Sequence, residues 1–341
     1  MYDIDFLKAG EKRDADAICM RFTRPDTGQL AHVVLDAGWQ EDGDHVVKFI
    51  RERYGVDFVD LAIVTHPDGD HIGGMGKVLR GLRVGGLLIH RLDQRGGASL
   101  DAGGAVAELV QLAAELGVPV AEPFQGMQYL GGALTVLGPS EDYYTELLTA
   151  QQDYEGRKGA SSLAASLAAQ VRSFADRVLE ALPVEEVPFG EGPGPGPRNN
   201  SSMVTLLHVD NFKALFTGDA GAPAIEAALD FADAVGLDAV APDLVQIPHH
   251  GSRRNATSAL LNRVLGPIGG VEVGNAYVSV CGQEDPKHPA GRVVNAYARR
   301  GYPWNWTAGN SIRRSSPDAP PRSDYFPLPL MPAMEELPDE D

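Results

Sequence analysis

The sequence predicts an α+β chain built as a four-layer αββα sandwich carrying a helical insertion. Three observations predict it. Strand-like apolar runs alternate with helix-like stretches through both halves of the 341 residues. The middle, from about 141 to 182, changes texture to Ala, Leu, Ser and Gln without β-branched clusters. A Gly/Pro segment at 190–197 then separates the two strand-rich halves.

In chain order, residues 17–22 and 32–36 read as strands on either side of a polar turn holding Pro25 and Gly28. Helical periodicity follows over 45–54, and the apolar run 61–64 is a buried strand. Residues 84–90 form a further strand, and the Ala/Leu-rich stretch 105–116 is a helix stopped by Gly117. Helices over 140–151 and 161–182 make up the insertion. Alternating Gly and Pro at 192–197 cannot enter a helix or sheet interior, so 190–197 is a connector or a lip beside a site. Strands at 202–209 and 213–217 form a hairpin turning at Asp210 and Asn211. A helix (222–234), a strand (244–247), a helix (258–265), a strand (276–280) and a helix (292–300) follow, and a short β region spans 304–312. On this reading residues 1–316 form one domain with 141–197 inserted, and 317–341 is a Pro-rich acidic tail.

Hydrophobic content of 43% and charged content of 22% are ordinary for a globular protein, and no apolar run approaches the roughly 20 residues of a membrane span. The charged N-terminus does not resemble a secretory signal. Two cysteines, Cys19 and Cys281, each end a hydrophobic stretch and read as separate core thiols, which suits a reducing cytoplasm. A net charge of −18 argues against duplex binding through a broad basic face. It leaves a phosphate substrate open, because bound metal ions would bring positive charge into a cleft.

The densest chemistry lies at residues 65–74, THPDGDHIGG, directly after the strand at 61–64. His66, Asp68, Asp70 and His71 fall within six positions at a strand end, a density of imidazole and carboxylate suited to Zn²⁺ or Mn²⁺. Gly69, Gly73 and Gly74 allow the backbone to fold tightly there. Three later segments also end strands with metal-compatible groups: Gly218-Asp219, the pair His249-His250, and His288-Pro289.

Taken in order, these segments resemble the metallo-β-lactamase fold, and more closely the soluble hydrolase domain of the ComEC/Rec2 competence proteins. The resemblance rests on THPDGDHIGG at 65–74, NNSSMV at 199–204, LFTGD at 215–219, PHHGS at 248–252 and the Gly…His-Pro segment from Gly282 onward. The opening FLKAG…DADAI and VVLDAG, with Asp36 in an Asp-Ala-Gly turn, also look like that family's first strands.

The resemblance implies two divalent ions, Zn²⁺ or Mn²⁺. One would take His66 and Asp68, the other Asp70, His71 and His249, with Asp219 between them. Two departures from the wider superfamily stand out: Asp68 replaces the middle His of HxHxDH, and no His precedes the Gly-Asp motif. Both also occur in the ComEC-like branch, and both make the first ion's ligand set oxygen-rich, which favours Mn²⁺ or a weakly held metal.

The activity implied is hydrolysis of a phosphodiester by a water activated between two metals. Asp70 or Asp68 would accept the water's proton, and His250 or His288 would protonate the leaving oxygen; His250 could equally orient a neighbour. Asn200, Ser202, Ser252 and His288 are the expected substrate contacts. Arg253 and Arg254 could hold a phosphate or be solvated, and Trp304 and Trp306 read as packing rather than as a base platform. The expected substrate is a nucleotide or single-stranded nucleic acid, with a protein partner possible through 141–197. Two other readings remain: hydrolysis of a lactone- or thioester-type carbonyl, and a binding or regulatory protein that keeps the fold without turnover.

Overall fold

Alternate side chains of the central strands go to two different cores. In the strand Leu30–Ala37, Val33 and Leu35 join one buried cluster and Val34 another; in Phe212–Phe216, Ala214 and Phe216 face one way and Leu215 the other. Strands with both faces apolar must be covered on both sides, so two sheets pack on each other with helices outside. The computed structural model describes residues 1–92, 104–158, 194–269, 271–281, 288–322 and 331–334.

Among these residues the first sheet comprises β1 (Tyr2–Phe6), β2 (Ala17–Thr23), β3 (Leu30–Ala37), β5 (Leu61–Ile63), β7 (Leu87–Leu88), β8 (Val120–Ala121) and β16 (Ile312–Ser315), in the order β16-β1-β2-β3-β5-β7-β8. The second runs β15-β14-β13-β12-β11-β10-β9, from Trp304–Trp306 (β15), Asn275–Val278 (β14), Leu244–Gln246 (β13), Phe212–Phe216 (β12), Val204–Val209 (β11) and Leu134–Gly138 (β10) to Gln128–Tyr129 (β9). A separate pair joins β4 (Phe58–Val59) to β6 (Arg83–Val84). Each large sheet is antiparallel at one end and parallel at the other, the change falling at β3–β5 and at β12–β13.

Phe6, Met20, Leu35 and Ile63 meet Leu134, Leu207, Phe216 and Tyr277 between the sheets. Outside the first sheet lie α1 (Gly43–Phe49, extended by a π-turn at Ile50–Tyr54), α3 (Met75–Gly81) and α4 (Ala105–Glu115), contributing Val46, Val78 and Leu109. Outside the second lie helices at Ala222–Ala234, Ser258–Leu265 and Gly291–Arg299, contributing Ile225, Leu261 and Val293. This is the expected four-layer αββα arrangement. Both cysteines are free and buried, one in each half. Among the described residues no helix is long and apolar enough to cross a membrane.

Several expected elements differ. The strand expected at 84–90 is divided, because Gly85 and Gly86 pass the chain from the β4–β6 pair into the first sheet. The β region at 304–312 is likewise split, β15 lying in one sheet and its successor β16 in the other. The first insertion helix is longer than expected, Glu141–Lys158, and the helix expected at 161–182 lies outside the described residues, as do 190–193 of the Gly/Pro segment, Gly282, and 323–330 and 335–341 of the expected tail. The described part of 317–341 makes contacts: Arg322 pairs with Asp5, and Met331 and Met334 pack on the outer core of the second sheet.

The C-terminal ends of the parallel strands β3, β5, β12 and β13 lead directly into the segments that carry Asp36, 65–71, 217–219 and 248–251. In open parallel sheets that edge is where ligands bind.

Candidate metal centre

Beyond β5 the chain enters an extended turn and then a single helical turn, α2 (Gly69–Ile72). Asp68 sits at its N-cap position with extended backbone but makes no capping hydrogen bond, so its carboxylate is turned to the cleft. Asp70 and His71 ride on the helical turn itself. Gly74 is required by close approach, since a Cβ there would run into the Ala37 carbonyl oxygen.

Asp36, at the end of β3, ties this turn down. It is fully buried in a left-handed conformation (φ 55°). Its Oδ1 accepts from Thr65 N (2.8 Å), and its Oδ2 accepts from Thr65 Oγ1 (2.7 Å) and lies 2.7 Å from His71 Nδ1. The end of β12 is held similarly: Gln246 Oε1 accepts from Thr217 N and Gly218 N, Ser202 Oγ accepts from Asp219 N, and Asn255 Nδ2 donates to Asp219 O.

After β13, His249, His250 and Gly251 all have positive φ (49°, 55° and 84°). Two consecutive non-glycine residues in that region are costly and persist only where surroundings impose them. Here His249 N donates to Gly218 O and Ala290 N donates to Gly251 O. The tight turn sends the two imidazoles to opposite sides of Asp219.

Four imidazoles and their partners therefore converge. His66 Nε2 is 3.6 Å from Asp68 Oδ2 and 3.7 Å from Asp219 Oδ2, and His249 Nε2 is 3.5 Å from that same Asp219 oxygen. On the other side His71 Nε2 faces Asp219 Oδ1 at 3.2 Å without hydrogen-bond geometry, and His250 Nε2 is 3.4 Å from Asp70 Oδ2. Each ring's Nδ1 is anchored elsewhere: His66 to Thr65 Oγ1 (3.2 Å), His71 to Asp36 (2.7 Å), His249 to Asn255 Oδ1 (2.9 Å) and His250 to Ser279 O (2.8 Å). Where Nδ1 donates to an oxygen, as His71 does to Asp36 and His250 to the Ser279 carbonyl, Nε2 keeps a lone pair, the arrangement of metal-ligating histidines; His249 Nδ1 also lies 3.1 Å from Asn199 Nδ2.

The electrostatics agree. Burial alone would lower the His71 pKa, but Asp219, Asp36 and Asp70 raise it well above the ordinary value. Burial likewise opposes the charge on His250, yet Asp70 facing its Nε2, then Asp16 and Asp219, raise it to about 10. Burial would raise Asp219, but His71 and His249 hold it well below the usual carboxylate range. Without a metal the cluster neutralises its carboxylates by protonating imidazoles, so the donor set fits a cation. Asp16, His71, Asp219 and His250 each offer one ligand atom, all within 4.8 Å of one another.

The structure brings His66, Asp68, Asp70, His71, Asp219 and His249 together, with a different division from the expected one. His250, not His249, faces Asp70, while His249 sits beside His66; the left-handed turn at 249–251 is the reason. Buried at 3% exposure, His250 lies within the donor cluster rather than beside it. Two expected substrate contacts are turned away. Asn200 Oδ1 accepts from Gly221 N and its Nδ2 donates to Pro195 O, and Ser202 Oγ is taken up by Asp219 N. Ser252 is buried, its Oγ accepting from Arg254 N. His288 is half-buried, its ring 6.2 Å from that of His249. Trp304 and Trp306 pack edge to face on the outer core.

Sequence reasoning missed Asp16, Asn255 and Arg198. Arg198 Nη1 lies 3.2 Å from Asp68 Oδ1. Asn255 stands six residues after His249 in a loop with no motif to mark it. Beside Asp68 lies a shallow cleft lined by Pro67, Leu92, Leu147, Leu148, Gln151 and Arg198, among others.

A four-layer αββα sandwich with a His/Asp centre at the strand ends defines a metal-dependent hydrolase fold. The chain belongs to the metallo-β-lactamase superfamily, whose family model matches residues 28–269. Among solved structures it is similar to a metal-dependent hydrolase of the β-lactamase superfamily (11% identity, 93% of this chain and 100% of that one, TM-score 0.48). It is also similar to a metallo-β-lactamase from Hirschia baltica (17%, 76% and 90%, 0.36) and to a diphosphatase of the PhnP family (8%, 82% and 86%, 0.36). No curated protein matches the chain.

Proposed function

We propose that the chain is a metal-dependent phosphodiesterase acting on a nucleotide or single-stranded nucleic acid in a reducing cytoplasm. The observation that carries the metal chemistry is the four imidazoles, each tied at Nδ1 and open at Nε2, arrayed around Asp219. His66, Asp68, His249 and Asp219 Oδ2 would hold one divalent ion; Asp70, His71, His250 and Asp219 Oδ1 would hold the other. Such ions, Mn²⁺ or Zn²⁺, supply charge neutralisation at phosphoryl oxygens and lower the pKa of water.

The protein's own groups do the rest. Asp36, Thr65, Asn255 and the Ser279 carbonyl keep the rings aimed. Asp68, at 29% side-chain exposure the more accessible of the two α2 carboxylates, is the proton acceptor. Arg198 beside it presents a guanidinium to a substrate phosphate, and His288 at the cleft wall donates to the leaving oxygen. Preference for a phosphodiester rests on the ComEC-like motifs together with Arg198; free, buried cysteines support a reducing compartment. A second reading, hydrolysis of an ester or lactone, draws on the aliphatic side chains of Pro67, Leu92, Leu147 and Leu148 that line the cleft beside Asp68.

The test is hydrolysis of bis-p-nitrophenyl phosphate, a labelled single-stranded oligonucleotide and p-nitrophenyl esters, with Mn²⁺, with Zn²⁺ and with chelator. Phosphodiester cleavage that needs metal and falls at least about a thousandfold in Asp219→Ala is expected. Cleavage of the esters alone would select the second reading, and no cleavage by metal-loaded protein would overturn both.

A further inference from the structure

We propose that Asp16, from the connection between β1 and β2, is a fifth protein donor to the inner metal position, and that it makes this position selective for a hard divalent cation, Mn²⁺ over Zn²⁺. The inference rests on the metal centre proposed above and concerns how its two halves differ.

Asp16 is 1% exposed, and its backbone is clamped against the motif segments: its N donates to Asp70 O (3.1 Å), and Gly38 N donates to its O (2.8 Å). That clamp aims the side chain inward, with Oδ2 3.9 Å from His71 Nε2. Oδ1 is buried without a hydrogen-bond partner, as are His71 Nε2, His250 Nε2 and Asp219 Oδ1. Asp16, His71, Asp219 and His250, from four separate segments, thus each bring a ligand atom into one volume, and each carries a buried polar atom without a hydrogen bond. Leaving such groups bare is costly, and one cation satisfies all four.

Adding Asp70, 3.4 Å from His250, gives the inner position two imidazole nitrogens and three carboxylates. Zn²⁺ sites usually use three or four protein ligands with nitrogen or sulfur prominent. Five donors dominated by carboxylate oxygen suit harder, higher-coordinate ions. The outer group, His66, Asp68, His249 and the second Asp219 oxygen, lacks this excess and is more open, with Asp68 and His249 at 29% and 31% side-chain exposure. The inner ion is therefore the tightly held one and the outer ion the exchangeable one. Removing Asp16 returns the inner position to two imidazoles and two carboxylates, a set Zn²⁺ accepts readily.

The test uses the full chain stripped by chelator. Free Mn²⁺ is followed by EPR during titration, and Zn²⁺ by competition with a chromophoric chelator. Wild type should bind two equivalents of Mn²⁺ with distinct affinities. Asp16→Asn should weaken the tighter class at least about tenfold, leave the weaker class within about threefold, and change Zn²⁺ affinity far less than Mn²⁺ affinity. Equal Mn²⁺ affinities for wild type and a folded Asp16→Asn would overturn the inference while leaving the metal centre intact. Wild type that binds neither ion would instead overturn the metal centre itself. Should the variant not fold, one equivalent of Co²⁺ on wild type decides. Weak visible absorption marks the high-coordinate inner site expected, and the strong absorption of four-coordinate Co²⁺ would overturn it.

Discussion

Two regions of this molecule bury clusters of charge, and they are built to opposite rules. On the outer face of the first sheet, Asp3 and Asp5 are buried among Arg21, Arg313 and Arg322. Asp3 accepts from Arg21 Nε and Nη2 (3.0 and 2.9 Å) and from Arg313 Nη2 (2.9 Å), and Asp5 accepts from Tyr54 Oη (2.9 Å) and Arg322 Nη1 (3.0 Å). Two carboxylates thus meet three guanidiniums, and the set closes on itself. At the other end of the strands Asp16, Asp36, Asp68, Asp70 and Asp219 gather with one nearby guanidinium, Arg198, among the described residues. The closed cluster joins the N-terminal strand to the segment after β16; the open one is suited to cations. Burial of charge therefore does not itself mark a site. What marks it is buried carboxylate faced by imidazoles, which can give up their protons to a metal, rather than by permanent guanidinium charge.

The largest effect is expected from opening the closed cluster. Arg313→Met leaves Asp3 short of one partner and should cost about 3–5 kcal/mol in urea denaturation without altering metal binding. A loss under about 1 kcal/mol would mean that Arg21 alone suffices. Closing the open cluster comes next: Mn²⁺ at a hundredfold its Kd should stabilise the chelated chain by about 2.7 kcal/mol, seen as a rise in Tm. Asp219→Ala should abolish that rise, and an undiminished rise would place the ion elsewhere. Smaller again is the effect of misaiming one ring. Asp36→Asn sets an amide nitrogen or a weaker acceptor against Thr65 and His71, and metal affinity by calorimetry should fall about 10- to 100-fold.

The same contrast explains what the sequence disclosed. Four layers were legible because strand runs such as 32–36 and 61–64 and helices such as Ala222–Ala234 and Ser258–Leu265 carry strong periodicity. Strands β8 to β10 were not, being short or bounded by turns such as Gly131-Gly132 with little alternation to read. Within the site, His66, Asp68, Asp70 and His71 were visible because they crowd into six positions. Asp16 was hidden because it reaches the centre from 55 residues before His71 in space that only β1–β2 pairing creates. The exchange between His249 and His250 was also hidden, since it depends on left-handed backbone that nothing in Pro-His-His-Gly specifies before Gly251.

The smallest effect per step is in pH, and it separates the two clusters by sign. Burial, only partly offset by Arg322, raises Asp5 from 3.8 to about 7. The folded chain thus holds that proton more tightly than the unfolded chain. The stability it contributes is full below about pH 4 and is lost as pH rises to about 7. Asp70 and Asp219 behave oppositely: burial would raise them, but the facing histidines, His71 foremost, hold both below the ordinary carboxylate range. Their contribution is present above that range and is lost as pH falls. Asp5→Asn should therefore remove a decline of at most about 1.4 kcal/mol per pH unit between pH 4 and 7. Urea denaturation of the chelated chain at one-unit intervals measures it. An unchanged slope would show that Arg322 keeps Asp5 ionised throughout, so that the closed cluster is a permanent ion network and the open one alone responds to protons.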